Sequence, residues 1–260
     1  MTEGAGVGAG ATGDAGATAG DVGDVGVAPG CNEDASGTTA GGNEGAVGAA
    51  AAPGKTGGLP LAHTQTGEKG LAEVRAQLGD CHRCQLCETR TNIVFGVGNP
   101  NAQVMFIGEA PGRQEDLGAE PFIGAAGKYM NELLNLAGLV REDIYIANVL
   151  KCRPPDNRNP LPAEIEVCTP FLRAQVRAIA PIILVTLGNF ATRFILRTDV
   201  GISHLRGQVH ITGAFSVLPV FHPAAAIYDQ LKRPPMEADF RLLGRLIETR
   251  RAELAARAQR

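Results

Sequence analysis

The segment QVMFIGEAPG at residues 103–112 determines the fold prediction. Its first six residues form a short apolar run, typical of a strand that is buried on both faces of a parallel sheet. Its last four residues, which begin with Glu109, form a loop shaped by glycine and proline. Ligands of open α/β sheets bind beyond the carboxyl ends of the parallel strands, so this loop lies where a site is expected.

The same pattern recurs along the chain. Three further apolar runs follow, at residues 143–149, 182–188 and 217–221. Helical patterns separate the runs, at about residues 125–138, 163–180 and 189–197. Two more helices are expected near residues 69–79 and 236–257. This alternation predicts an α/β domain with three αβα layers around a central four-stranded parallel sheet.

Residues 1–66 differ from the rest in composition, because Gly, Ala, Thr and Asp dominate and aromatic residues are absent. Such a segment buries too little apolar surface to offset its ordering entropy, so we predict a disordered, acidic tail followed by one folded domain at residues 67–260. The tail has seven acidic residues and one lysine, a net charge of −6. The whole chain has a net charge of −3, which leaves +3 on the domain, compatible with a polyanionic partner.

No apolar run reaches the roughly 18 to 20 residues that span a bilayer. The N-terminus also lacks the basic region and apolar core of a secretory signal. We therefore expect a cytoplasmic monomer that does not bind membranes. The six cysteines of such a chain favour metal binding or chemistry over disulfides.

Four cysteines are candidates for one metal site. The two residues between Cys81 and Cys84 allow both thiolates to turn towards one centre, and Cys152 and Cys168 follow downstream. Zinc and a 4Fe-4S cluster both accept four sulfur ligands, and the spacing alone does not separate them. Cys87 has the same spacing from Cys84 and is an alternative ligand. Polar and cationic neighbours favour the thiolate form of these cysteines over a buried apolar thiol.

A second loop with chemical potential is HPAAA at residues 222–226, which follows the last apolar run and begins with His222. Because parallel strands end at the same edge of a sheet, this loop and the Glu109 loop can converge on one crevice. The sequence therefore predicts a site of chemistry at this edge.

Several motifs occur in a fixed order, namely CxxC at 81–84, FGVGNP at 95–100, GEAPGRQED at 108–116, PFIGAAG at 121–127, NVLKCRPPDNRNP at 148–160, then Cys168 and FHPAAA at 221–226. This order resembles the family 4 uracil-DNA glycosylases, the iron–sulfur branch of that superfamily. The resemblance covers residues 80–230. It implies a four-stranded parallel sheet flanked by helices, a 4Fe-4S cluster on Cys81, Cys84, Cys152 and Cys168, and removal of uracil from single- or double-stranded DNA, which leaves an abasic site.

The resemblance also implies catalytic roles for three residues. His222 matches the residue that hydrogen-bonds the uracil oxygen on which leaving-group charge develops, and Asn148 matches the amide that recognises the uracil edge. Glu109 matches a carboxylate that positions water and stabilises a cationic sugar. Phe122 matches the ring that stacks on the base.

Other parts of the motifs have less certain roles. The backbone N–H groups of Ala110 and Gly112 are expected to add hydrogen bonds near the base. Glu115 is either a gate that separates uracil from thymine, or a catalytic group, or an exposed carboxylate in the first turn of a helix.

Contacts to DNA are expected on two segments. Residues 226–233 contain a wedge candidate for base flipping among Ile227, Tyr228 and Leu231. A second phosphate-binding patch is predicted beside the cluster, formed by Lys151, Arg153 and Arg158.

Two other functions remain open. One is a nucleic-acid-binding or electron-transfer module that has a cluster and no catalysis, although such a module has no need of Glu109, Asn148 and His222 together. The other is a glycosylase with a broader choice of deaminated bases, such as hypoxanthine.

Overall fold

The computed structural model describes residues 65–212 and 215–259. The predicted tail therefore lies outside the described residues, apart from Gln65 and Thr66. The division of the chain into a tail and a domain at residue 67 stays a prediction.

One sheet of six strands forms the centre of the domain. The strands in chain order are β1 (Val97–Gly98), β2 (Val104–Gly108), β3 (Ile144–Asn148), β4 (Ile183–Leu187), β5 (His210–Thr212) and β6 (Phe215–Val220). Their order across the sheet is β1-β3-β2-β4-β6-β5. The four inner strands are parallel, which confirms the predicted central sheet.

The two outer strands are an addition to the prediction. β1 and β5 pair antiparallel with β3 and β6, and they are only two and three residues long. Both are incompletely buried, so they lack the continuous apolar pattern that identified the inner strands.

Eight α-helices are described: α1 (Gly67–Leu78), α2 (Arg113–Gly118), α3 (Ala125–Leu136), α4 (Pro162–Ile179), α5 (Gly188–Leu196), α6 (Ile202–Leu205), α7 (Pro223–Tyr228) and α8 (Arg233–Ala258). The five helices predicted from the sequence are present close to their predicted bounds. The short helices α6 and α7 were not predicted, and α2 entered only as one alternative for Glu115, because four to six residues are too few for a periodic pattern.

The residues of the inner strands alternate between two hydrophobic clusters. Phe106 of β2 packs with residues of α3 and α8, among them Met130 and Phe240. Met105 and Ile107 of the same strand pack with residues of α1, α4 and α5. The sheet therefore has helices on both faces, which confirms the three-layer prediction.

A helix that spans a membrane is long and continuously apolar. None of those in residues 65–212 and 215–259 is long and apolar enough to cross a membrane.

Candidate active site

The site begins where β2 and β3 end side by side. Gly108 and Asn148 are partners in the parallel register. The pairing continues one step further, because the N–H of Val149 donates to the Gly108 carbonyl at 3.0 Å and the N–H of Leu150 donates to the Glu109 carbonyl at 3.0 Å. Two motifs that are distant in sequence are thus joined by backbone hydrogen bonds.

Phe122, Asn148 and His222 lie together beyond this strand edge. A Cβ added to Gly108 would lie 2.3 Å from Oδ1 of Asn148 and 3.2 Å from the Phe122 ring, so both side chains pack closely over this glycine. The ring centroids of Phe122 and His222 are 5.3 Å apart, with the ring planes inclined by 29°. Three predicted site residues from three separate motifs therefore form one cluster, which we call the base pocket.

Phe122 is held in an unusual backbone conformation. Its φ of 57° is in the left-handed region, and its carbonyl accepts a hydrogen bond from the Arg141 guanidinium. The side chain is 5% exposed. A non-glycine residue with positive φ costs stability unless its surroundings fix it, and such residues concentrate at functional sites.

Asn148 contributes a buried acceptor without a partner. The residue is only 2% exposed, and its Oδ1 atom has no hydrogen-bond partner within the described part of the chain. A buried acceptor without a donor is uncommon, because desolvation of the oxygen is not compensated. The oxygen is therefore available to accept a hydrogen bond from a bound molecule.

His222 is oriented by the start of α7. Its Nδ1 atom accepts a hydrogen bond from the N–H of Ala224 at 3.2 Å, so the neutral ring has its proton on Nε2. Burial lowers the pKa of His222 to about 4, and the nearby Glu115 carboxylate opposes this shift only in part. At neutral pH the residue is thus an uncharged imidazole with Nε2–H as a donor.

Glu115 connects α2 to the loop that contains Phe122. It lies in the first turn of α2, is partly buried, and its Oε1 atom accepts a hydrogen bond from the N–H of Gly124 at 3.0 Å. The alternative of a merely exposed helix carboxylate is therefore wrong. The roles as a gate or catalytic group stay predictions.

The loop between β2 and α2 contains the other residues of the first motif. Ala110 and Gly112 lie there, both partly exposed. A Cβ at Gly112 would be 2.8 Å from Oε2 of Glu115, so the loop passes close to this carboxylate.

Glu109 lines an open cleft beside the base pocket. The other cleft residues include Phe190, Arg193 and Arg197 from α5 and the segment after it. Burial raises the pKa of Glu109 above its ordinary value, although the side chain is only partly buried. Glu109 thus follows Gly108 of the base pocket in the sequence and lines a cleft whose other charged residues are Arg193, Arg197 and Asp199.

The four predicted ligand cysteines line one small cavity. Cys81, Cys84, Cys152 and Cys168 share its wall with apolar residues such as Leu86, and Cys87 is not among the lining residues. No group of three or more His, Cys, Asp or Glu side chains within residues 65–212 and 215–259 is arranged to hold a single metal ion.

Hydrogen-bond donors surround the sulfur atoms of this cavity. Arg83 donates to Sγ of Cys81 at 3.2 Å, and Arg90 donates to Sγ of Cys152 at 3.6 Å. Burial nevertheless dominates and raises the pKa of Cys152 to about 12 and that of Cys168 to about 11. As expected, the cations Arg90 and Lys151 favour the thiolates of Cys152 and Cys168, but in the metal-free protein burial outweighs them; a bound metal would favour the thiolates.

The predicted phosphate-binding patch is wrong in part. Lys151 is 1% exposed and therefore does not reach a DNA backbone. Arg158 forms an ion pair with Glu164 at 2.6 Å, and Arg153 donates to Asn157 at 2.8 Å. Lys151 was predicted to contact phosphates together with Arg153 and Arg158, whereas the fold buries its ammonium against the Asn148 carbonyl and Gln175.

The wedge candidates are exposed, and the role of a wedge stays a prediction. Tyr228 is 90% exposed, Leu231 is 86% exposed and Ile227 is 39% exposed. All three lie in α7 or the turn after it, within ten residues of His222 in the sequence.

Comparison with known proteins agrees with this arrangement. Residues 95–242 match the model of the uracil DNA glycosylase superfamily. The type-4 uracil-DNA glycosylase of Archaeoglobus fulgidus is 45% identical over an alignment of 184 positions that covers 68% of this chain and 92% of that protein. The type-4 enzyme of Saccharolobus solfataricus is 42% identical over 62% of this chain and 79% of its own length. A type-5 uracil-DNA glycosylase of Pyrobaculum aerophilum is more distant, at 31% identity over 49% of this chain and 63% of its own length. The chain therefore belongs to the uracil-DNA glycosylase superfamily and, within it, to the type-4 family.

Proposed function

We propose that this protein excises uracil from DNA by hydrolysing the N-glycosidic bond of deoxyuridine, and so starts the repair of deaminated cytosine. The observation that carries the proposal is the unpaired, buried Oδ1 of Asn148 beside the rings of Phe122 and His222. An aromatic face, an unpaired amide and a neutral imidazole are the groups that a flat, uncharged, polar base requires.

Selection of uracil rests on the amide of Asn148. The uracil edge presents N3–H as a donor and O4 as an acceptor, which complements the Oδ1 acceptor and Nδ2 donor of the amide. Cytosine presents the reverse pattern, an unprotonated N3 and a donating amino group. With Oδ1 already oriented and unpaired, binding of cytosine would leave this oxygen without a donor.

Stabilisation of the leaving group is assigned to His222. When the glycosidic bond breaks, the uracil anion has much of its charge on O2. The Nε2–H of a neutral His222 donates to that oxygen, and a preorganised donor of this kind typically contributes about 10²- to 10³-fold in rate. The lowered pKa of His222 keeps this donor uncharged throughout the neutral range.

The sugar and the attacking water are assigned to Glu109. The carboxylate lines the cleft next to the base pocket, so it can contact both solvent and the sugar of a nucleotide whose base is in the pocket. Its charge stabilises an oxocarbenium-like sugar, and its raised pKa suits a group that orients and deprotonates water.

Uracil reaches this pocket only after its nucleotide leaves the base stack, at a cost of a few kcal/mol. The exposed side chains of Tyr228 and Leu231 are the proposed wedge that fills the gap. The cleft that contains Arg193 and Arg197 is the proposed path of the flanking strand, because its cations can contact phosphates.

We propose that the cysteine cavity holds a 4Fe-4S cluster and not a single zinc ion. A single zinc ion requires four sulfur atoms about 2.3 Å from one point, whereas a cluster binds thiolates around the outside of a larger body. All four cysteines line one cavity, and no group of three or more His, Cys, Asp or Glu side chains among the described residues is arranged to hold a single ion, which supports the cluster. When bound, the cluster would supply a cross-link that joins residues 81–84 to Cys152 and Cys168, with a structural role.

One experiment separates this proposal from its alternatives. Purified protein is incubated with oligonucleotides that contain uracil, hypoxanthine or only ordinary bases, and abasic sites are detected by alkaline cleavage. We expect cleavage only at uracil, together with a brown protein that absorbs near about 400 nm, as iron–sulfur proteins do. Equal release of hypoxanthine would favour the broader glycosylase, and iron without any base release would favour a binding module. Colourless protein with stoichiometric zinc would contradict the cluster.

A further inference from the structure

Lys151 is a lysine with almost no access to solvent. It is 1% exposed, and its ammonium donates to the backbone carbonyl of Asn148 at 2.8 Å and to Oε1 of Gln175 at 2.6 Å. Both acceptors are neutral oxygens. Burial of an ammonium group is expensive unless its donors are satisfied, so a lysine in this place requires a reason beyond packing.

The two ends of this residue connect two sites. At the backbone, the N–H of Lys151 donates to Sγ of Cys168 at 3.3 Å, and the next residue is Cys152. At the side chain, the ammonium bonds the carbonyl of Asn148, the residue with the unpaired amide oxygen. One residue therefore spans from the cysteine cavity to the base pocket.

The bond to the Asn148 carbonyl completes the fixation of one peptide plane. On the other side of that plane, the N–H of Val149 donates to Gly108 at 3.0 Å. With its N–H and its C=O both bonded, the peptide unit after Asn148 has a fixed orientation. This orientation sets the backbone of Asn148, and with it the direction in which the amide side chain leaves the strand.

Gln175 anchors the ammonium to a long helix. It lies in α4, is 0% exposed, and its Nε2 donates to the carbonyl of Phe95 at 2.9 Å. The same helix contains Cys168, so Lys151 is bonded to α4 at two points, one through its backbone and one through its side chain. The backbone of Asn148 is therefore fixed relative to α4.

We propose that Lys151 is a positioning residue, which holds the base-recognising amide of Asn148 in register with the cysteine site through the bonded path from Cys168 to the Asn148 carbonyl. The inference rests on the proposed function of the base pocket. Its consequence is that loss of the ammonium disturbs recognition of the base while leaving the cysteine ligands and the DNA surface intact.

The test is Lys151→Met, which keeps an unbranched apolar side chain close to the length of the lysine stem and removes the ammonium donors. We expect wild-type iron content, because no cysteine is changed. We expect single-turnover excision of uracil to fall about 10-fold or more, and inhibition by free uracil to weaken by a similar factor, as for loss of a charge-assisted hydrogen bond. Binding to DNA with an abasic-site analogue should change less than about 2-fold, since Lys151 is buried.

Leu243→Ala is the control for a general loss of stability. Leu243 is fully buried on α8, so its truncation creates a cavity and lowers the melting temperature. We expect this variant to retain wild-type affinity for free uracil. If Lys151→Met instead lowers only the melting temperature and retains affinity and rate, Lys151 is merely structural and the inference is wrong.

A second variant covers failure of Lys151→Met to fold. Gln175→Met removes the anchor of the ammonium on α4, together with the donor to the Phe95 carbonyl. Without this anchor the ammonium holds the Asn148 carbonyl less firmly, so free-uracil affinity should fall several-fold with iron content unchanged. Unchanged affinity in this variant would overturn the inference. Failure of wild-type protein to release uracil would reject the proposed function itself, which distinguishes the two failures.

Discussion

Truncation of Asn148 to alanine should separate catalysis from stability. The wild-type residue is 2% exposed and has an unpaired Oδ1. Asn148→Ala therefore removes a desolvated acceptor that contributes no hydrogen bond of its own within the described residues. Removal of this unpaired acceptor stabilises the folded state and offsets part of the destabilisation by the small cavity, so we expect little change in melting temperature.

The effect on excision should be large, because the variant leaves the polar edge of bound uracil without partners. Each unpaired buried group costs about 1 to 3 kcal/mol, so two of them cost about 3 kcal/mol in total on a conservative count. At about 1.4 kcal/mol for each factor of ten, the excision rate should fall about 100-fold. Discrimination between uracil and cytosine should decrease as well.

The assay is single-turnover excision from a uracil-containing duplex, with thermal unfolding and binding to an abasic-site analogue measured on the same preparations. Asn135→Ala is the matched control, because it makes the same truncation at an exposed position of α3. An Asn148→Ala protein that excises uracil at the wild-type rate would refute the assignment of this amide. So would a variant whose loss of rate is fully explained by unfolding.

Four further predictions follow from the structure. The rate of wild-type excision should decrease as the pH falls through the raised pKa of Glu109. In a pH–rate profile, Glu109→Gln should be slow at every pH and show no such decrease on the acid side. The pKa of His222 is about 4 in the folded protein against an ordinary 6.5, so the unfolded chain takes up this proton first as the pH falls. The free energy of unfolding should therefore be highest above about pH 6.5 and decrease by up to roughly 3 kcal/mol as the pH falls towards 4. Denaturant unfolding of His222→Gln should show a flatter pH dependence. Cys152→Ser and Cys168→Ser should lose bound iron and melting temperature together, and iron-free variants with wild-type stability would contradict a structural cluster. Deletion of residues 1–66 should leave single-turnover excision nearly unchanged, whereas loss of folding would show that these residues are part of the domain.

The sequence predicted the inner sheet well, because strands buried on both faces have continuous apolar runs. The β2 strand is an example, since all five of its residues are buried. The edge strands β1 and β5 escaped prediction because they are short and incompletely buried, and their conformation depends on pairing with β3 and β6.

The site was partly predictable for a different reason. Phe122, Asn148 and His222 were identified as site residues from the order of the motifs, because hydrophobic periodicity contains no information about them. The fold brings these three residues together. The motifs did not indicate that Lys151 is buried. Its ammonium bonds Gln175 as well as the Asn148 carbonyl, and Gln175 is 24 residues away in the sequence and comes near only through the packing of α4.

The most direct test of the account is a comparison of wild-type protein with His222→Ala on one uracil-containing oligonucleotide, with free uracil and abasic sites both quantified in a single turnover. The imidazole acts on the departing base, so its contribution appears in the chemical step and not in DNA binding. We predict stoichiometric release of uracil by the wild-type protein, and a rate lower by about 10²-fold or more in the variant with nearly unchanged affinity for abasic DNA. Equal rates for the two proteins would contradict the central claim that this pocket cleaves the glycosidic bond.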